Sequence, residues 1–143
     1  MTPTIVDASV AIKWCLPPGQ EALVPHANQL LASYRSGVEE FIVPDLFWME
    51  VANALWKAVR KQKIDSVRAE KALRLVDELG ISTIPSHDLV PRAQQLAVAH
   101  DRTVYDCIYV ALAVRAKGIL ITADERLANA LAARFPVKWL GAF

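Results

Sequence analysis

Apolar and polar positions follow two different periods along the chain, and the changes of period predict alternating strands and helices. Short apolar runs without alternation, bounded by Pro, Gly or acidic residues, predict buried strands. Longer stretches with apolar residues at helical spacing predict the helices between them. The predicted strands cover residues 4–6, 41–43, 81–84, 119–121 and 137–140.

The helical stretches carry start and stop signals at both ends. Asp45 and Asp65 each precede an apolar stripe and predict two helix starts, while glycines end several helices. Pro91 falls in a first helical turn, where proline is tolerated. The helix over residues 103–117 is apolar nearly all round, so we expect it to be buried on two sides. The remaining predicted helices cover residues 8–15, 22–35, 88–100 and 124–134.

Short, apolar strands separated by helices indicate an α/β fold of three layers, with a mostly parallel central sheet flanked by helices. A chain of 143 residues is long enough for one domain with a sizeable core, so we expect residues 1–143 to form one domain. The apolar fraction of 54% and the ordinary charge content argue against disorder.

Charge and hydropathy exclude several classes of protein. The net charge of +1 gives no overall attraction to nucleic acid, so any such binding needs a local patch. No apolar stretch approaches the roughly 20 residues that cross a bilayer, and no signal peptide is recognisable, so we expect a soluble, cytoplasmic protein without membrane contact. Cys15 and Cys107 are too few for a disulfide scaffold and predict buried thiols.

Four acidic residues lie in otherwise apolar or helix-capping contexts, namely Asp7, Glu50, Asp106 and Asp124. Asp7 and Asp124 follow the first and fourth strands, whose carboxyl ends border the ligand crevice of an open α/β sheet. Like charges about 4 Å apart repel by roughly 4 kcal/mol at an effective dielectric of about 20. A divalent cation is the simplest remedy for that repulsion. The four acids together therefore predict a metal-dependent hydrolase.

Each acid also has a structural explanation. Asp7 could simply cap the first helix, and Glu50 could be a solvated helix residue. Residues 103–106 and 122–125 both have an acid three positions after a threonine, which is the pattern of a capping box. It is the shared placement of the four acids at one rim that favours a functional site.

The same residues carry a resemblance to a known family. Four segments resemble, in order, the four acidic motifs of PIN-domain proteins, over essentially the whole chain. The size and the Tyr-Asp…Tyr-Val-Ala-Leu-Ala block are most similar to the VapC toxins of bacterial and archaeal toxin–antitoxin pairs. The segments are Ile5-Val6-Asp7-Ala8-Ser9-Val10, Glu50-Val51-Ala52-Asn53-Ala54-Leu55, Tyr105-Asp106-Cys107-Ile108-Tyr109-Val110-Ala111-Leu112-Ala113 and Leu120-Ile121-Thr122-Ala123-Asp124-Glu125-Arg126-Leu127.

The resemblance implies a PIN-like three-layer sandwich and a Mg²⁺- or Mn²⁺-dependent endoribonuclease. It also implies an RNA substrate, a homodimer and inhibition by a cognate VapB-like antitoxin. Asp7 and Asp106 would anchor the metal, and Glu50 and Asp124 would complete or extend the cluster. Ser9, Asn53 and Thr122 are the candidates for supporting these ligands.

The donor types agree with that metal. A set of oxygen ligands favours hard cations such as Mg²⁺ and Mn²⁺. His26, His87 and His100 show no paired ligand spacing, which argues against a zinc site. One metal ion or two are both compatible with four carboxylates.

Two surface features have alternative interpretations. Residues 57–74 hold seven of the sixteen Lys and Arg residues, which is typical of a solvated helical hairpin and also of an RNA track. Trp48 and Trp56 lie off the main apolar stripe of one helix and could be core residues or anchors for an antitoxin or a second protomer.

Three other functions remain open at the level of sequence. Another PIN nuclease acting in RNA maturation would carry the same motifs. A receiver-type phosphorylation module is also α/β with clustered acids, but that class needs adjacent acids after the first strand, where only Asp7 is present. A non-catalytic binding module would differ from all of these in metal titration.

Overall fold

Five short parallel strands form the centre of the computed structural model, which describes residues 1–142. The strands are β1 (Thr4–Val6), β2 (Phe41–Pro44), β3 (Ser82–Ile84), β4 (Ile119–Thr122) and β5 (Val137–Trp139). Their order across the sheet is β3-β2-β1-β4-β5, and all four pairings are parallel. β1 is central and fully buried, which explains its continuous apolar sequence.

Seven α-helices connect these strands. They are α1 (Ala8–Cys15), α2 (Val24–Arg35), α3 (Leu46–Arg60), α4 (Ser66–Asp77), α5 (Val90–His100), α6 (Val104–Arg115) and α7 (Glu125–Leu131). Two short 3₁₀ turns, His87–Leu89 and Leu140–Ala142, complete the description. None of the helices formed by residues 1–142 is long and apolar enough to span a membrane.

The strand order divides the helices between the two faces of the sheet. The connections β1 to β2 and β2 to β3 run in one direction across the sheet, whereas β3 to β4 and β4 to β5 run in the other. Such crossovers are right-handed, so the connections from β1 to β2 and from β2 to β3 place α1–α4 on one face of the sheet. The connections from β3 to β4 and from β4 to β5 place α5–α7 on the opposite face. The predicted three-layer arrangement is confirmed. The direction changes between β1 and β4, and open α/β sheets bind ligands beyond the carboxyl ends of the strands at such a point.

The buried apolar residues form one core cluster around the sheet. In α6 the seven consecutive residues from Cys107 to Ala113 are buried, since this helix packs on β1, β2 and β4 and also against α5. The helix is thus buried on two sides, as its nearly uniform apolar sequence predicted. Burial raises the pKa of the Cys107 thiol, and that of the partly buried Cys15 to about 11, so both free thiols stay protonated at neutral pH.

Several predicted element ends are wrong, each for a local reason. α2 begins at Val24 rather than at residue 22 because Leu23 adopts a left-handed conformation with φ of 60°. α7 ends at Leu131, three residues earlier than predicted, and Leu140 starts a 3₁₀ turn instead of ending β5. Asp45 does precede α3, but its carboxylate accepts hydrogen bonds from the backbone N–H and the hydroxyl of Ser86 rather than capping the helix.

Candidate functional site

Asp7 lies at the carboxyl end of the central strand and begins α1. It is only 8% exposed, and its carboxylate accepts hydrogen bonds from the Ser9 backbone N–H at 2.7 Å and from the Ser9 hydroxyl. Burial raises the pKa of Asp7, and the charge of Asp106 adds to the rise, while hydrogen bonds from Ser9 and Thr122 oppose it. Asp7 is therefore both the predicted helix cap and a buried acid beside a second acid.

The loop after β4 carries the second acid of this crevice. Asp124 is exposed and caps α7, accepting a hydrogen bond from the Leu127 N–H at 3.2 Å. Thr122 is fully buried, and its hydroxyl oxygen accepts from the Asp124 N–H at 3.0 Å. The prediction that Thr122 opens a capping box with Glu125 is wrong, since Asp124 itself occupies the cap position and Thr122 is the last residue of β4.

Ser9 links the two strand ends. Its hydroxyl donates to Asp7 and accepts from the Ala123 N–H at 3.0 Å. The same side chain thus holds the β1 acid and the backbone of the loop that presents Asp124. Ser9 thus contacts the side chain of Asp7, and Thr122 contacts the backbone of Asp124; a supporting role for either at a metal site stays a prediction. Asn53 differs: it is exposed on α3, and within residues 1–142 no hydrogen bond joins it to the four acids.

Asp106 lies in the first turn of α6, where the helix dipole favours a carboxylate. Thr103 caps this helix, as predicted, with its hydroxyl oxygen accepting from the Asp106 N–H at 3.0 Å. Burial and the charge of Asp124 raise the pKa of Asp106, whereas the charge of Arg102 lowers it. The Arg102 guanidinium also donates to the Arg126 carbonyl oxygen at 3.4 Å, so it spans the starts of α6 and α7.

Glu50 reaches the cluster from α3. It is partly buried rather than solvated, and one carboxylate oxygen accepts a hydrogen bond from the Tyr109 hydroxyl at 2.6 Å. Burial raises the pKa of Glu50, the charges of Asp7 and Asp106 raise it further, and the Tyr109 hydrogen bond lowers it. The structural explanation of Glu50 as a freely solvated helix residue is therefore wrong.

The four acids are linked by mutual repulsion. Asp106 interacts electrostatically with Asp7, Glu50 and Asp124, and Asp7 also interacts with Glu50. Acids from two strand ends and two helices thus share one negative field. Excess negative charge in a partly buried crevice is the condition that a bound cation relieves.

The donor set fits a hard divalent cation, since all four side chains offer carboxylate oxygens. Among residues 1–142, however, no three Asp, Glu, Cys or His side chains are arranged so closely that they already form a metal-binding group. Their oxygens are instead engaged with local partners, such as Ser9 for Asp7 and Tyr109 for Glu50.

Sequence reasoning gave no role to Tyr109 or Arg102. Tyr109 follows Asp106 by three positions, which places both side chains on one face of α6, and this spacing was the available signal. Lys13 was also missed: it is a charged residue in an apolar helix, is 7% exposed and forms an ion pair with Glu21 at 3.1 Å. That pair ties the 16–23 segment to α1.

The two tryptophans of α3 differ in environment. Trp48 is partly buried, packs edge-on against Phe47 and donates its indole N–H to the Thr83 hydroxyl at 2.9 Å. Trp56 is 53% exposed, with the Arg60 guanidinium 5.4 Å from its ring centre. Only Trp56 thus has the exposure of a partner anchor. All seven basic residues of the 57–74 segment are exposed, as either interpretation of that segment requires.

The molecule is a parallel α/β sandwich with four carboxylates near the carboxyl ends of its strands, and sequence comparison identifies its family. The PIN domain family model matches residues 4–131. The VapC ribonuclease Mb0985 of Mycobacterium bovis is 30% identical over 133 residues, covering 93% of this chain and 94% of that protein. Ribonuclease VapC3 of Pyrobaculum aerophilum is 36% identical over 99 residues, covering 66% and 73%. The chain belongs to the PIN-domain family and, within it, to the VapC ribonucleases.

The fold comparison is independent of close sequence similarity. The crystal structure of PAE2754 from Pyrobaculum aerophilum aligns with a TM-score of 0.71 at 21% identity, covering 99% of this chain and 85% of that one. At that identity the likeness concerns the fold alone. It supports the α/β fold described above.

Proposed function

We propose that this chain is a metal-dependent endoribonuclease and the toxin of a VapBC-type toxin–antitoxin pair. The observation that carries the proposal is the shared negative field of Asp7, Glu50, Asp106 and Asp124 in the crevice beyond β1 and β4, in a chain of the VapC family. The cofactor is Mg²⁺ or Mn²⁺, because the donors are carboxylates.

Each acid has a distinct part in the proposed reaction. Asp7 and Asp106 would hold the metal, since Asp7 is anchored by Ser9 and Asp106 by its position at the start of α6. When bound there, a divalent ion would supply a water of lowered pKa and would stabilise negative charge on the scissile phosphate. Glu50 or Asp124 would complete the metal site and would orient the attacking water by accepting its hydrogen bond.

The residues around the acids keep them in place. Ser9 holds the carboxylate of Asp7 and the loop of Asp124 at a fixed separation. Arg102 is the cation whose charge acts on Asp106, so it limits the pKa rise that burial causes and keeps that acid available as an ionised ligand. RNA would enter from the open side of this crevice, where Asp124 is exposed.

The partners follow from the same proposal. Residues 1–143 act as one domain in the cytoplasm, as a homodimer that also binds a VapB-like antitoxin. Large apolar side chains remain exposed on several helices, including Met49, Trp56, Val98 and Tyr105, and such side chains are typical of interfaces. A basic antitoxin residue against the four acids would relieve the repulsion that a metal relieves, and would inhibit in competition with it.

The test is RNA cleavage by the purified protein. We expect total RNA to be cut with Mg²⁺ or Mn²⁺, cleavage to stop with EDTA and to return when metal is added back. The Asp106→Asn variant, which keeps the size of the side chain and removes its charge, should be inactive under all three conditions. Equal cleavage by the variant, or cleavage that persists in EDTA, would contradict the proposal.

A further inference from the structure

Tyr109 is a buried tyrosine that makes its hydrogen bond to an acid of the site. It is 3% exposed, and its hydroxyl donates to a carboxylate oxygen of Glu50 at 2.6 Å across 59 sequence positions. Burial and the neighbouring Glu50 raise the pKa of Tyr109, so the hydroxyl remains a donor at neutral pH. A donor that contacts an ionised acceptor makes one of the stronger hydrogen bonds in proteins.

A packing role accounts for only part of this arrangement. Phenylalanine would fill the same space on α6 without needing a hydrogen-bond partner. The contrast with Tyr34 is informative, because the Tyr34 hydroxyl donates to the backbone carbonyl of Leu79 at 2.8 Å and not to a carboxylate. Tyr109 instead satisfies its hydroxyl on a carboxylate that Asp7 and Asp106 repel.

That repulsion identifies what the hydrogen bond does. Glutamate has a flexible side chain, and the charges of Asp7 and Asp106 disfavour its staying near the cluster. The Tyr109 hydroxyl occupies one carboxylate oxygen, and the other accepts no hydrogen bond within residues 1–142. One oxygen is thus fixed to a rigid, buried helix while the second remains available as a ligand.

We infer that Tyr109 is a positioning residue, which holds Glu50 at the site so that its second oxygen can bind the metal while the first stays bonded to Tyr109. The inference rests on the proposed function and extends it to a residue outside the four acids. Groups that orient metal ligands in this way typically contribute about 10–100-fold to metal affinity or activity.

The first test is Mn²⁺ affinity measured by calorimetry on metal-free protein. We expect Tyr109→Phe to bind Mn²⁺ about 10–100-fold more weakly than the unmodified protein. Tyr34→Phe is the matched control, because it also removes one partly buried hydroxyl and its hydrogen bond; its Mn²⁺ affinity should not change. Equal affinities for Tyr109→Phe and the unmodified protein would overturn the inference.

Two further comparisons separate positioning from a general loss of structure. In RNA cleavage, Tyr109→Phe should lower kcat with little change in KM, since substrate contacts are unaffected. In a Glu50→Ala background the Tyr109→Phe change should have almost no further effect on Mn²⁺ affinity, because the two residues act as one unit. A full, undiminished effect in that background would contradict a role through Glu50.

A measurement on the unmodified protein tests the arrangement without relying on any variant to fold. The short hydrogen bond of a buried hydroxyl should give a slowly exchanging downfield proton resonance, which we expect to persist and to shift when Mg²⁺ is added. Disappearance of the resonance at saturating Mg²⁺ would mean that Glu50 leaves Tyr109 to reach the metal, and would overturn the inference. Failure of the unmodified protein to bind Mn²⁺ or cleave RNA would instead refute the proposed function itself.

Discussion

Ser9 offers a sharp test of how the two strand ends are joined. The Ser9→Ala change removes a hydroxyl that donates to Asp7 and accepts from the Ala123 N–H at 3.0 Å. A hydrogen bond to a charged group contributes about 1.5–3 kcal/mol, and a buried donor left unpaired costs about 1–3 kcal/mol. Water can reach this partly buried site and replace some of that loss. We therefore expect the free energy of unfolding to fall by about 2–3 kcal/mol.

This change in the free energy of unfolding should appear as a lower melting temperature. For a chain of this size the melting temperature should fall by roughly 5–10 °C in EDTA at pH 8. Ser36→Ala is the matched control, since the Ser36 hydroxyl donates to the Ser33 carbonyl at 3.1 Å on the exposed surface. That variant should stay within about 0.5 kcal/mol of the unmodified protein.

The effect of Ser9→Ala should depend on pH. The Ser9 hydrogen bonds lower the pKa of Asp7, so they stabilise its ionised form. Their contribution is present while Asp7 is ionised and decreases as the pH falls through the pKa of Asp7 in the folded protein. Urea unfolding at pH 8 and at pH 4 should therefore give a larger loss at pH 8. A decrease in the free energy of unfolding below about 0.5 kcal/mol at pH 8, or an equal decrease at both pH values, would refute this prediction.

Four further predictions follow from the site and its surroundings. Asp7→Asn should raise the melting temperature in EDTA at pH 8 but not at pH 4. Burial and the charge of Asp106 raise the pKa of Asp7, so its ionised form destabilises the fold once the pH exceeds the pKa of an ordinary aspartate. An unchanged melting temperature at pH 8 would count against this. Arg102→Gln removes the charge that lowers the pKa of Asp106, so the acid limb of the pH–rate profile should move to higher pH, and an unmoved limb would exclude that coupling. Asp65→Ala removes the side chain that caps α4 at 2.7 Å from the Arg68 N–H and should cost about 1 kcal/mol in urea unfolding without altering RNA cleavage. Light scattering should give twice the chain mass of 15.8 kDa, and a single-chain mass at micromolar concentration would contradict the homodimer.

The elements were predictable where burial dictates the sequence. β1 and α6 read as continuous apolar runs because each is covered by other elements, and the glycine and proline signals located most of the remaining ends. The same patterns predicted the parallel sheet, since only strands covered on both faces lack alternation. The predicted parallel sheet in turn led us to expect a crevice beyond the carboxyl ends of its strands, and Asp7 and Asp124 lie at the ends of β1 and β4.

Features that depend on distant residues were not predictable from local patterns. Leu23 adopts a left-handed conformation that no residue preference indicates, and Asp45 turns to Ser86, 41 positions away, instead of capping α3. The contact of Glu50 with Tyr109 likewise requires α3 and α6 to meet. The sequence allowed the four acids and Ser9 to be proposed from their contexts, but not Tyr109, whose contact with Glu50 joins two distant segments.

The measurement that tests the central claim most directly is a crystal structure of this protein grown with Mn²⁺ and recorded for anomalous scattering. We expect a Mn²⁺ peak in contact with the carboxylates of Asp7 and Asp106, with a carboxylate oxygen of Glu50 or Asp124 completing the site. A saturated crystal whose only Mn²⁺ peaks lie away from these four residues would contradict it.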